Sequence, residues 1–406
     1  SANQTGTFTG AQLTDETLLL TEIAAGTSNL IINVGSGTTA SFLNLTASTF
    51  TSGSDTVTIN GTAGNETITA PNLATTINAG NGNDIIDGGD GADTLVGGSG
   101  NDVYIFDTND VDAGETISDS GGSADVVAIA TSVDFANLPE ANLDNIEQIR
   151  FAGANQTGTF TGAQLTGETL LLTETAAGTS NLVINVGSGT TTTFTNITAS
   201  TFTNGSDTIR INGTAGNENI TGPNLATTLD GGDGVDTLVG GSGNDVYIFD
   251  TNDVDAGETI SDSGGSADVV AIATSVDFAN LPEANLDNIE QIRFAGANQT
   301  GTFTGAQLTG ETLLLTETAA GTSNLIINVA TGTTVNFASI TASTFTSGSD
   351  TITINATGTT NVTAPNLATT INGGSGGDTL IGGSANDIIN GFNGVDTIDG
   401  GDGADT

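Results

Sequence analysis

Residues Gly88–Phe106 read "GGDGADTLVGGSGNDVYIF". Asp93 and Asp102 stand nine residues apart, each two residues after a glycine and two before a bulky apolar residue, Leu95 or Tyr104. The frame runs backward through the first part of the chain. Ile59, Ile68, Ile77, Ile86, Leu95 and Tyr104 occupy the eighth position of six successive nonads, starting with "SGSDTVTIN" and continuing through "GTAGNETIT" and "APNLATTIN". Ile211, Ile220, Leu229, Leu238 and Tyr247 repeat the pattern. One apolar residue every nine, with β-branched neighbours and turn residues between, predicts a short strand per step of a parallel solenoid. Helix is not expected, because Gly, Thr and Asn dominate and no 3.6-residue period appears.

A longer period contains this one. "ANQTGTFTGAQLT" begins at Ala2, Ala154 and Ala297, and Asp93–Leu182 recurs unchanged as Asp236–Leu325. The expected organisation is three tandem units. Unit one spans 1–153 (β-rich 1–60, nonads 61–105, connecting coils 106–153), unit two 154–296 (nonads 213–248) and a truncated unit three 297–406 (nonads 373–406). Unit one reads "TTINAGNGNDIIDGGDGADTLVGG" where unit two reads "TTLDGGDGVDTLVGG". One whole nonad has been gained or lost, as stackable steps allow. Between the nonad blocks, "DVVAIA", "EQIRFA", "ETLLLTE" and "NLVINV" recur at wider spacing and suggest wider coils of the same solenoid. A separate antiparallel sandwich of about seventy residues per unit is the alternative.

The chain of 406 residues carries 47 Asp and Glu against 3 Lys and Arg, for a formal charge of −44. That imbalance opposes binding to nucleic acid or anionic membranes and makes metal cations the natural partners. With no His and no Cys, an all-oxygen metal site is the expected kind, and disulfides and thiol chemistry are excluded. No apolar run approaches the eighteen residues of a membrane span, and no signal peptide is evident. The chain lacks Met, starts within a repeat and stops within a nonad, so it is expected to be an excerpt of a longer protein.

The nonads "AGNGNDIID" (from Ala79), "GGDGADTLV" (Gly88), "GGSGNDVYI" (Gly97), "GGDGVDTLV" (Gly231), "GGSGNDVYI" (Gly240), "GGSGGDTLI" (Gly373), "GGSANDIIN" (Gly382) and "GFNGVDTID" (Gly391) match G-G-x-G-x-D-x-U-x. They resemble the RTX calcium-binding repeat. The resemblance implies an all-β parallel solenoid with calcium-binding β-roll segments, in which two nonads make one turn. It implies side-chain ligands at Asp84, Asp93, Asp102, Asp236, Asp245, Asp378, Asp387, Asp396 and Asp405, with assistance from Asp90, Asp233 and Asp402. The stretch after the nonads resembles the segment that commonly continues such repeats, which adds Asp119, Asp125, Asp262 and Asp268 as weaker candidates.

Chemistry supports the frame. Glycine permits the positive φ of tight turns that aim carbonyls inward, and carbonyl and carboxylate oxygens suit calcium. Carboxylates stacked about 4.8 Å apart repel by about 3.5 kcal/mol at an effective dielectric of 20. The roll should therefore fold only around several Ca²⁺ ions. Ala79, Ala385 and Phe392 depart from the glycine pattern and should weaken their turns. Glu66 and Glu218 occupy aspartate positions with a side chain expected to fit poorly. "APNLATTIN" should be a metal-free spacer. "DTNDVD" from Asp107 has Val111 where an EF-hand needs a ligand, so that reading fails.

Without His, Lys or Cys, no nucleophile and base can be assigned, so an enzyme is not expected. Tyr104 and Tyr247 read as core residues without a functional role, and Arg150, Arg210 and Arg293 as surface residues or acid partners. Threonine tracts such as "TTTTF" suggest exposed strand faces or a flat ladder. The alternation of nonads with Thr/Gly/Ala-rich strands is similar to RTX-type bacterial surface-layer proteins. It implies an extracellular, calcium-dependent structural protein, exported from a bacterium by type I secretion, that self-associates into a sheet or filament. A cell-surface polysaccharide is a candidate partner. The alternative is a calcium-rigidified spacer in a large RTX adhesin, with ice or another surface as its target.

Overall fold

In the computed structural model the described residues are 3–23, 26–50, 54–140, 143–202, 206–282, 286–345 and 349–406. Two compact units divide the chain: Ser1–Asn185 with Asn196–Ile209, and Val186–Thr195 with Arg210–Thr406. Each is a parallel β-solenoid. The wide segments are coils of the same construction, not an antiparallel sandwich, because their strands pair in parallel too.

In the first unit one sheet stacks Gln4–Thr9, Ser28–Asn33, Thr56–Thr62, Thr75–Asn81, Thr94–Ser99 and Thr116–Ser118. A second stacks eight strands, from Thr39–Ser41 through Ile85–Asp87 and Val103–Phe106 to Ile197–Ala199. The register explains the nine-residue frame. Ile59, Ile77 and Leu95 stack in one column, and Ile68, Ile86 and Tyr104 in the other, each partner 18 residues from the next. Two nonads therefore make one coil, with the eighth residue of each pointing into a narrow core. All six of these side chains are fully buried, and burying each one stabilises the coil by about 1.5–3 kcal/mol.

Past the nonads the coils widen. Leu95 pairs with Ile117, Tyr104 with Val127, Val127 with Ile149, Ile149 with Leu172 and Leu172 with Ala199. A wider coil needs larger side chains to fill it to normal packing density. Phe106, Phe135 and Phe160 supply them, with Phe135 stacked on Phe160 at 4.5 Å and Phe106 edge-on at 5.4 Å. Phe249, Phe278 and Phe303 repeat the cluster in the second unit.

The second unit stacks Ile220, Leu238 and Ile260 in one column and Leu229, Tyr247, Val270, Ile292 and Leu315 in another. Val362, Leu380 and Ile398 continue the style toward the C-terminus.

Among the described residues three single-turn helices depart from the all-strand expectation: Gly10–Leu13, Gly162–Leu165 and Gly305–Leu308. Each is nucleated by a capping box. The Thr161 N–H donates to Gln164 Oε1 at 2.8 Å, and the buried Gln164 amide donates to the carbonyls of Phe135 and Leu138. The local cap overrides the poor helix propensity of the segment. Among the described residues the rung Thr191/Thr193 is followed by Asn219/Thr221 and Thr237/Val239, so no two-column threonine ladder continues there, whereas Thr58, Thr76, Thr94 and Thr116 stack in a single column. Among the described residues no helix is long and apolar enough to cross a membrane.

Candidate metal centre

Each nonad turns at its glycines and enters its strand at the aspartate. The turn glycines Gly80 and Gly82 adopt φ of 114° and 118°, and Gly98 and Gly100 adopt 109° and 131°. A Cβ on Gly98 or Gly100 would collide with the Gly80 or Gly82 carbonyl of the preceding coil. Both positive φ and close backbone approach therefore require glycine here. Phe392 breaks the rule at φ 58°, a conformation that costs a non-glycine residue about 1–2 kcal/mol.

The aspartates are tied to the coil before them. Asp84 Oδ1 accepts the Glu66 N–H at 2.7 Å, Asp102 Oδ1 accepts the Asp84 N–H at 2.7 Å, and Asp125 Oδ1 accepts the Asp102 N–H at 2.7 Å. Glu147 Oε2 then takes the Asp125 N–H. On the other edge Asp93 Oδ1 accepts from Thr75 N–H and Glu115 Oε2 from Asp93 N–H. The second unit carries Glu218–Asp236–Glu258 on one edge and Thr227–Asp245–Asp268–Glu290 on the other. Toward the C-terminus Asp378 and Asp387 accept from Thr360 and Thr369, and Asp396 and Asp405 accept from Asp378 and Asp387.

With one oxygen so used, the other is left over. Asp84, Asp93, Asp102, Asp236, Asp245, Asp268 and Asp378 each bury an Oδ2 that no hydrogen bond satisfies. A buried carboxylate oxygen without a partner costs several kcal/mol. The first glycine of the nonad lies beside that oxygen. A Cβ on Gly88, Gly231, Gly391 or Gly400 would sit 2.5 Å from Oδ2 of Asp93, Asp236, Asp396 or Asp405. Orphaned oxygens in a cradle that any side chain would fill, with only oxygen donors around, fit a hard divalent cation.

Electrostatics points the same way. Burial first, and then the Glu115 charge, pushes the Asp93 carboxyl up to about 9. Burial pushes Asp102, Asp236 and Asp245 up to about 7, and Glu115 and Glu258 up to about 8. The folded coil disfavours these charges unless a cation neutralises them.

Asp84, Asp93, Asp102, Asp236, Asp245, Asp378 and Asp387 are buried, whereas Asp396 and Asp405 are half-buried. Asp119 and Asp125 converge with Asp102, and Asp262 and Asp268 with Asp245. Asp90 and Asp233 lie away from those carboxylates and group instead with Asp107 and Asp110, and with Asp250 and Asp253. Asp402 is exposed and joins no cluster among the described residues. The expectation that glutamate fits the turn poorly is overturned. Glu66 is buried, its Oε2 accepts from Thr62 N–H at 2.9 Å and its Oε1 from Gly37 N–H at 2.7 Å, so the longer side chain caps the turn itself. Glu218 does the same toward Thr214 and Gly189. Tyr104 and Tyr247 are core residues, but not idle ones: the Tyr104 hydroxyl donates to Asp119 Oδ2 at 2.7 Å and accepts from Gly97 N–H at 3.0 Å. Burial and Asp119 push this phenol well above its ordinary range. Arg210 pairs with Asp230 at 2.7 Å.

Sequence reasoning missed Glu115, Glu147, Glu258 and Glu290, which extend the ladder into the wide coils. The signal was present as an acid directly before a strand and two residues before its buried apolar residue: Glu115 before Ile117, and Glu147 before Ile149.

No curated protein and no solved structure matches the chain. The family described as RTX calcium-binding nonapeptide repeat (4 copies) matches residues 73–104, 226–249 and 372–406, the three nonad blocks. These three blocks are similar to RTX calcium-binding nonapeptide repeats, and such an array binds multiple calcium ions.

Proposed function

We propose that this chain is a non-enzymatic, extracellular structural protein whose calcium-ordered solenoid builds a bacterial surface layer or fibre. In this reading Asp84, Asp93, Asp102, Asp236, Asp245, Asp378, Asp387, Asp396 and Asp405 are the side-chain ligands of the nonad ions. The observation that carries the reading is the row of buried, unpartnered Oδ2 atoms. They make folding conditional on calcium, so the chain stays open where calcium is scarce and folds where it reaches about 10⁻⁴–10⁻³ M, as in extracellular modules. Export of an unfolded chain by type I secretion follows the same logic.

Self-association is supported by the few cations. Arg150 and Arg293 occupy equivalent outward positions on strands Gln148–Phe151 and Gln291–Phe294, between Ala and Thr of the neighbouring strands. Burial lowers both guanidinium pKa values, and among the described residues neither makes an ion pair. In a chain of charge −44, the surface complementary to such a position is another copy of the chain.

Negative-stain electron microscopy with and without calcium tests the reading. Ordered sheets or filaments that dissolve in chelator support it. Dispersed particles in calcium overturn it and favour the adhesin spacer.

A further inference from the structure

We propose that three asparagine-glycine pairs on the outside of the coils, Asn60–Gly61, Asn212–Gly213 and Asn372–Gly373, are sites of spontaneous backbone modification that the folded solenoid holds shut and the unfolded chain leaves open. The inference rests on the calcium reading only in that calcium decides when the chain is folded, and it is independent of the surface-layer proposal.

The pairs arise where two packing demands meet. Asparagines stack in an outward column: the Asn60 Nδ2 donates to Asn33 Oδ1 at 3.2 Å, and the Asn78 Nδ2 to Asn60 Oδ1 at 3.1 Å. Nearer the C-terminus Asn372 donates to Asn355 at 2.8 Å and Asn390 to Asn372 at 3.0 Å. The next residue lies close against the following coil. A Cβ on Gly61 or Gly213 would stand 2.1 Å from the carbonyl oxygen of Ala79 or Gly231, and one on Gly373 would stand 2.9 Å from Asp378 Oδ2. The column asks for asparagine and the coil contact asks for glycine. Together they make the dipeptide in which ring closure meets least steric resistance, because the attacking nitrogen belongs to a residue without a Cβ.

The reaction needs only water. The glycine nitrogen, once its proton is lost to solvent base, attacks the asparagine side-chain carbonyl carbon. A C–N bond forms, the side-chain amide leaves as ammonia, and a succinimide remains. Water opens either carbonyl of that ring, giving aspartate or isoaspartate. The folded coil opposes the first step. The Gly213 N–H donates to the Asp230 carbonyl at 2.7 Å and the Gly373 N–H to the Asn390 carbonyl at 2.8 Å. Asn60 and Gly61 lie inside strand Thr56–Thr62, paired along Thr75–Asn81. Ring closure therefore waits on local opening.

The second copy shows what a carboxylate in this column requires. Asp230 stands where Asn78 and Asn372 stand in the other copies, and Arg210 stands where they have Thr58 and Thr353. The two pair at 2.7 Å. Conversion of Asn60 or Asn372 makes the carboxylate without the guanidinium and deletes a donor from the column. Isoaspartate also adds a carbon to the main chain, which shifts later residues against the register that stacks the next coil. A chain that ages while unfolded thus loses its way back to the solenoid.

Peptide mass spectrometry of the full chain, incubated in mildly alkaline buffer with millimolar calcium, with chelator or with urea, reads conversion site by site. Circular dichroism of the same samples reports which are folded. Conversion at Asn60, Asn212 and Asn372 is expected to be at least about tenfold slower in folded than in unfolded samples. Asn393–Gly394, in an exposed bend, is expected to convert in every sample. Asn355, in the same column but followed by Ala356, is expected to convert slowly in every sample. Equal rates at the three sites in folded and urea-unfolded chain overturn the proposal, as does full recovery of β structure in calcium by a chain already converted at them. Failure of the nonad reading looks different: the chelator sample would keep its β structure, and calcium against urea would still read the protection.

Discussion

Replacing Asp93 by asparagine should change stability in opposite directions with and without calcium. Asp93 is fully buried, its Oδ1 accepts from Thr75 N–H at 2.6 Å, and its own N–H donates to Glu115. Its carboxyl stands near 9 in the folded coil against 3.8 in the unfolded chain. At pH 7 without calcium the folded state must keep a proton that the unfolded chain has released. That penalty is 1.36 × (7 − 3.8), about 4 kcal/mol. An asparagine side chain would keep the acceptor for Thr75 and carry no charge, at a cost of about 1–3 kcal/mol for a buried amide without a partner. The calcium-free variant should therefore be more stable than the parent by about 1–3 kcal/mol. In saturating calcium the variant leaves a bound cation short of one charge, and the loss should be about 3–5 kcal/mol. The assay is circular dichroism, with an osmolyte titration of folding in chelator and urea unfolding in calcium. Destabilisation of similar size in both conditions would refute the reasoning, since Asp93 would then act only through its hydrogen bonds.

Acid should partly replace calcium. The folded carboxyl groups of Asp93, Asp102, Asp236 and Asp245 titrate above their unfolded values, so the folded state binds more protons between about 3.8 and 7–9. Calcium-free stability is thus fully present below about 3.8 and is lost as pH rises through that window. Circular dichroism in chelator should show β structure growing on acidification, whereas calcium affinity measured by titration should fall. Gly97→Ala should weaken calcium binding at least tenfold without abolishing the fold in excess calcium, because its Cβ enters the space beside Asp102 Oδ2 and Asp119 Oδ2; unchanged binding isotherms would contradict this. Glu66→Ala should cost about 1–3 kcal/mol, and equally in calcium and chelator, since it removes the acceptor for the Thr62 and Gly37 amides without touching an ion. Urea unfolding in calcium and an osmolyte titration of folding in chelator read that equality.

What was legible in the sequence was whatever the nine-residue frame dictates. An inward residue at every eighth position and a glycine-bracketed aspartate at every sixth follow from two strands per coil, so Ile68, Ile86 and Tyr104 could be placed before any coordinates. The wide coils were legible only in style. Their partners lie 22 to 28 residues apart, as in Leu95 to Ile117 and Thr191 to Asn219, and no fixed period survives that variation. The ladder beyond the nonads is hidden because Glu115 has its glycine, Gly114, one residue before it instead of two and Glu147 has none nearby, although each stands directly before its strand as the aspartates do. Asp107 and Asp110 match no local loop motif. Their convergence with Asp90 is made by coil stacking and has no local signature.

Residue-resolved hydrogen exchange at neutral pH tests the central claim most directly. The amides of Glu66, Thr75, Asp84 and Asp93, each bonded to a carboxylate of the next coil, should exchange slowly in millimolar calcium and at nearly unfolded rates in chelator. Equal protection in both would mean that the roll folds without its ions, and would contradict the account.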